Sequence, residues 1–187
     1  GDYCSKWGLK VNTKKTKVMV FQTGGKKTAV KIELNGDQLE IVPEFTYLGI
    51  VYTSNGSPKS AVNSLKVKAA KALYKLQGIL QKQKSACTLL RLRLFDCLVK
   101  PILTYGCQVW GAYFTKYIVK SCKTSRVDTE PPEKLCNNFY KYLLGINKYA
   151  PTTAAQSELG RYPVHIYILT QAAKFWSKLN HNHEKLA

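Results

Sequence analysis

Eleven carboxylates are the raw material for hydrolytic, transfer or metal-dependent chemistry, and their spacing argues against it. No two are adjacent. The tightest group, Asp128, Glu130 and Glu133, falls in a proline-rich stretch, a poor scaffold for two metal ions held at fixed separation. Of the three histidines, His165 is expected to pack at a helix start, and His181 and His183 fall in a polar C-terminal tail. The six cysteines (4, 87, 97, 107, 122 and 136) form no C-x-x-C pair and no Cys/His cluster with zinc-ligand spacing, so buried reduced thiols are expected. There is no G-x-x-x-x-G-K-[ST] phosphate loop and no G-x-S-x-G elbow. The residues alone predict no self-sufficient catalysis, no metal site and no cofactor in this chain.

The cations carry more information. Lys and Arg number 29 in 187 residues, for a net charge of +18. Residues 45–95 hold nine basic groups and no acid, where a merely soluble surface would mix both signs. A polyanionic partner leads, nucleic acid before an acidic lipid surface. The 45% hydrophobic and 11% aromatic content excludes a disordered basic tail. No apolar run is long enough to span a bilayer, so no membrane partner is expected. The first seven residues lack an apolar signal core, which predicts an intracellular setting, nucleus or cytoplasm, without secretion. The single methionine is Met19, so a processed product or fragment is expected.

Local elements must position these charges. Residues 2–10 read as the tail of a helix stopped near Gly8. Lys17 to Phe21 is strand-like, and Gly24-Gly25 punctuates it. Val30, Ile32 and Leu34 alternate with polar residues, Asn35-Gly36 signals a hairpin turn, and Leu39 and Ile41 carry the returning strand to Pro43. Phe45 to Tyr52 is a further β-rich run. From Pro58 to about Lys84 the period becomes helical. Val62, Leu65, Ala69, Leu73, Leu76 and Leu80 share one face, and Lys68, Lys71, Lys75 and Lys82 lie roughly opposite. No acid is present to pair with these lysines one helical turn away. Residues 86–100 are apolar almost all round, which predicts burial, and Pro101 kinks or breaks that helix before a second helical piece to 111. A loop is expected at 121–132, then helices at 133–144, 152–159 and 164–179. Trp7, Trp110 and Trp176 are expected core anchors, and Asn12 and Thr16 are expected to stabilise the turn before the first strand.

Four segments have a specific order: W-G-L-K-V-N-T-K-K-T-K-V-M-V-F at 7–21, F-T-Y-L-G-I at 45–50, P-I-L-T-Y-G-C-Q-V-W-G at 101–111 and S-E-L-G-R-Y-P at 157–163. Together they resemble the C-terminal part of the reverse transcriptase of non-LTR (LINE-type, jockey-like) retrotransposons. The first is similar to the fourth palm motif of that family, the second to its primer-grip hairpin, and the last two to the thumb and the region after it. The family's metal-binding aspartates lie upstream of the fourth palm motif. The resemblance therefore implies a chain without them, inactive alone, with Mg2+ expected only for the full-length polymerase.

The resemblance also implies roles. Lys15 matches the lysine of N-x-x-K-T and becomes a candidate general acid for the pyrophosphate leaving group; otherwise it is a surface lysine beside Lys14 and Lys17. Tyr47, Leu48 and Gly49 would shape the primer-grip turn. Lys68, Lys71, Lys75 and Lys82 would track the backbone of an RNA/DNA hybrid or duplex without reading its sequence. An upstream palm and fingers would be the protein partner. The expected fold is α+β, a small antiparallel β-hairpin or sheet followed by a thumb-like helical bundle. The expected organisation is 1–56 as the palm remnant, 57–120 as thumb-like helices, 121–132 as a loop and 133–187 as a post-thumb helical region. The alternatives are a retrotransposon-derived helical module reused for protein interaction or structure, and an unrelated basic RNA-binding module of the ribosomal-protein kind.

Overall fold

A computed structural model describes residues 2–22, 31–34, 36–83, 86–113 and 130–184. Gly24-Gly25, Val30, Asn35, Cys122, Asp128 and most of the loop expected at 121–132 lie outside the described residues. The chain divides into two units, 1–61 and 62–187. The fold is α+β: three two-stranded ladders precede a mostly helical remainder.

In the first unit, helix α1 (Asp2–Lys6) ends with Gly8 at φ +62°, and the Leu9 N–H closes onto the Cys4 carbonyl at 2.8 Å. The Asn12 carbonyl then accepts from the N–H of Lys15 and from both the N–H and hydroxyl of Thr16, which shapes the turn into β1 (Lys17–Val18) as expected. Strands β2 (Glu33–Leu34) and β3 (Asp37–Gln38) form a hairpin whose two-residue loop contains Gly36. Strand β4 (Glu40–Ile41) leaves that hairpin. It pairs with β1 in parallel, Lys17 opposite Glu40 and Val18 opposite Ile41, and Lys17 and Glu40 also form an ion pair. The antiparallel sheet expected for this region is thus corrected at one ladder. Strands of two residues carry too little alternation to encode which partner, or which direction, they take.

Strands β5 (Glu44–Tyr47) and β6 (Ile50–Thr53) form an antiparallel hairpin, with Phe45 opposite Tyr52 and Tyr47 opposite Ile50. Leu48 and Gly49 make the turn at φ +48° and +81°, the positive pair that matches the twist of the flanking strands. Leu48 is the only described non-glycine residue in that region of φ.

Helix α2 runs from Lys59 to Lys82. In the second unit its residues Val62, Leu65, Ala69, Leu76 and Leu80 are buried, with Leu73 packed against them, so the apolar face read from the period is the real one. Helix α3 (Thr88–Leu98) ends where Pro101 cannot supply a backbone donor, and α4 (Lys100–Leu103) continues after Val99. Leu92, Phe95 and Val99 are buried, but Leu89, Leu90 and Leu98 are exposed, so burial all round does not hold for this segment. The described neighbours cover one side of α3 and leave the other to solvent.

Helix α5 (Cys107–Trp110) follows Gly106, and the buried Trp110 donates its indole N–H to the Tyr105 carbonyl at 2.8 Å. Gly111 lets α5 approach α8 (Val164–Glu184) closely. A Cβ there would sit 2.7 Å from Ile168 Cγ2 and 2.4 Å from the Cys107 carbonyl. Helix α6 (Pro131–Leu143) begins two residues before the expected Glu133, because proline suits a first turn whose N–H groups have no helical partner. Its Phe139 stacks on Phe95 with centroids 4.3 Å apart and planes 8° apart.

Helix α7 (Thr152–Glu158) ends in the E-L-G-R segment. Gly160 takes φ +60°, its N–H bonds the Ser157 carbonyl at 3.0 Å, and the Arg161 N–H bonds the Gln156 carbonyl at 2.7 Å. That stop aims Arg161 at Asp96 of α3, 2.7 Å away. Trp7 and Trp176 are 63% and 48% exposed, so of the three tryptophans only Trp110 anchors the core. Cys107 and Cys136 are buried as expected, whereas Cys87 and Cys97 are exposed.

Candidate nucleic-acid interface

The cationic residues singled out above sit on the solvent side of α2. Lys68, Lys71, Lys75 and Lys82 are all exposed, while the opposite face of the helix enters the core. At 1.5 Å rise per residue the row is about 21 Å long, and its members lie within roughly 60° of one another around the axis. Among the described residues no carboxylate pairs with Lys71, Lys75 or Lys82. Holding the row on a packed helix fixes the spacing of the positive charge, which a flexible basic tail would not do.

The hairpin residues sit elsewhere, in the first unit. Tyr47 and Leu48 are 59% and 71% exposed, so the β5–β6 turn carries an apolar tip on a backbone that favours glycine. Such a conformation costs about 1–2 kcal/mol for an ordinary residue and is held by the ladder on either side. Lys15 lies in the Asn12 turn, exposed, with its N–H directed at the Asn12 side-chain oxygen at 3.2 Å. The predicted site residues are therefore divided among three elements: the four lysines share one face of α2, Tyr47, Leu48 and Gly49 share one turn, and Lys15 occupies another.

Two residues were passed over in the sequence. Tyr74 is 80% exposed beside the lysine row. Its position off the apolar line of α2, between Lys71 and Lys75, is the signal that marks it. Glu133, noted in the sequence only as part of an acidic group in a proline-rich stretch, is 1% exposed in α6. Its carboxylate accepts from Gln156 Nε2 at 3.1 Å, and from both the backbone N–H and the Nδ1 of His165 at 3.1 Å. Gln156 Nε2 also donates to Asn137 Oδ1 at 2.9 Å. The carboxylate thus caps the start of α8 from another helix, where the orphan N–H groups and the helix dipole favour negative charge. His165 does sit at a helix start, as expected, and this carboxylate holds it there.

Among the described residues no group of three or more His, Cys, Asp or Glu could hold a metal ion. Among the described residues the half-buried Asp96 gives one oxygen to Arg161, and the buried Glu133 is engaged by His165. These residues do not fit a two-Mg2+ centre. Burial pushes the Cys107 thiol up to about 11 and raises Cys136 still further, with Glu133 adding to the latter, so neither is an activated nucleophile. No helix among the described residues is long and apolar enough to cross a membrane.

Over 110 residues, 59% of the chain, the sequence is 23% identical to the RNA-directed DNA polymerase from the mobile element jockey of Drosophila funebris. The chain spans only 12% of that protein's length. No family model matches the chain, and no solved structure matches it. The chain is distantly and partially similar to a retrotransposon RNA-directed DNA polymerase.

Proposed function

We propose that the chain is a nucleic-acid-gripping part of a reverse transcriptase of the non-LTR retrotransposon kind, corresponding to the end of the palm and the thumb. The observation that carries this is the exposed lysine row of α2, set on a buried apolar back. Its ligand is the sugar-phosphate backbone of a primer–template, gripped without regard to sequence. The β5–β6 hairpin takes the place of the primer grip, with Tyr47, Leu48 and Gly49 at its tip. Lys15 stands where a cation would offset charge on a departing pyrophosphate, once an upstream palm and fingers supply the active-site carboxylates.

The test is the affinity for an RNA–DNA hybrid over a salt series. Each phosphate engaged contributes a slope of about −0.9 in log K against log salt. Replacing Lys68, Lys71, Lys75 and Lys82 together by Gln should weaken binding and flatten the slope by about 3.6. A salt-independent affinity, or a slope unchanged in the variant, overturns the proposal.

A second reading draws on the exposed Leu89, Leu90 and Leu98 of α3. They suit a module reused for protein interaction. A salt-insensitive oligomer without nucleic-acid affinity in analytical ultracentrifugation would favour that reading.

A further inference from the structure

The lysine row of α2 does not stand alone on its face. Tyr74 lies within one helical turn of Lys71 and Lys75 and is 80% exposed. One turn further on, Gly78 has nothing within 4 Å of the place a Cβ would occupy. Two turns before Tyr74, Val67 is 53% exposed. At about 100° per residue, Val67, Tyr74 and Gly78 form an uncharged strip along one flank of the lysine row. The surface therefore offers two contacts side by side: a line of cations, and one aromatic ring with open space beyond it.

These two contacts suit different parts of a nucleotide. Ammonium groups take phosphates whether the strand is paired or not. An aromatic face takes a base only if the base is free of its own stack. In a duplex the bases are turned inward, and pulling one out costs a few kcal/mol. In an unpaired strand the bases lie beside the phosphates and stack on exposed rings in a sequence-tolerant way. Tyrosine suits this role because its ring is large and rigid and has only two side-chain torsions to immobilise.

We propose that Tyr74 is a stacking platform for an unpaired base, so that the α2 face prefers nucleic acid with single-stranded character over a fully paired duplex. This rests on the reading of the lysine row as a backbone grip and adds the class of strand it takes.

The full chain is titrated with a single-stranded oligouridylate 12-mer and with a blunt 12-base-pair RNA–DNA hybrid, by fluorescence anisotropy, over a salt series. Tyr74→Ala should weaken the single strand about 5- to 150-fold and leave the hybrid affinity and both salt slopes unchanged. Tyr74→Phe keeps the ring and should bind as the parent does. Because the side chain is so exposed, both variants should retain the parent's circular dichroism and urea midpoint. If Tyr74→Ala binds the single strand as tightly as the parent, or weakens both probes equally, the platform is refuted while the lysine grip stands. If Tyr74→Phe loses as much as Tyr74→Ala, a hydroxyl contact replaces stacking and the platform is again refuted. If neither probe shows salt-dependent binding, the lysine grip fails and the platform falls with it.

Discussion

At the scale of single residues, the decisive group in the helical unit is a carboxylate that does no chemistry. Glu133 is buried, with three hydrogen bonds from two residues that lie 23 and 32 positions away. Glu133→Ala should leave the His165 N–H and imidazole without their acceptor. It should cost about 2–4 kcal/mol, read as a lower urea midpoint at unchanged m-value. Glu133→Gln keeps an acceptor and should cost less. None of this was legible beforehand, because a Glu beside two prolines reads as solvated until Gln156 and His165 are known to meet it. Cys107 gives a second test. Its thiol rises from 9.0 to about 11 in the fold, so the unfolded chain loses that proton first. Stability from this group is complete below pH 9 and drains away as pH rises through 11, by at most about 2–3 kcal/mol. Cys107→Ala should flatten part of the loss between pH 8 and 10.5 in denaturation midpoints. Cys136 acts in the same direction and should keep the remainder.

At the scale of elements, the β5–β6 turn stores strain in one side chain. Leu48 at φ +48° pays for a conformation that Gly49 beside it adopts freely. Leu48→Gly relieves the strain and adds disorder to the unfolded chain, for a net gain of about 0.5–1 kcal/mol. Amide exchange across Phe45/Tyr52 and Tyr47/Ile50 should slow about 2- to 5-fold; faster exchange would show the leucine to be favourable in place. Legibility varied with the length of the element. Helix α2 is 24 residues long, and its period alone located both its buried face and its lysine row. The Asn35-Gly36 signal located the β2–β3 hairpin. The parallel β1–β4 pairing was hidden, because two-residue strands separated by more than twenty positions leave no pattern to read. Helix α3 misled in another way. Its composition measures how apolar it is, while its burial depends on how many neighbours surround it, and Leu89, Leu90 and Leu98 have too few.

At the scale of the whole molecule, charge and fold divide the work unevenly. The net +18 and the acid-free stretch 45–95 were visible in the residue counts, and the α+β class in the change from strand-like alternation to a helical period near Pro58. Composition could not reveal where the remaining acids go. Asp96 of α3 pairs with Arg161 in the connection after α7, and the buried Glu133 of α6 pairs with His165 of α8. Each of these carboxylates already has a cationic or histidine partner, and the acids are in any case far outnumbered by the 29 basic residues. A surface so one-sided repels itself, and that repulsion opposes compactness. Added monovalent salt should therefore raise the melting temperature of the free chain by a few degrees between about 20 and 300 mM, through screening. A melting temperature that falls over that range would show the cations to be balanced where they lie. The same ions compete for any polyanion on the lysine row. The fold and the grip should thus respond to salt with opposite sign, so the conditions that best preserve this protein are those in which it holds its ligand least.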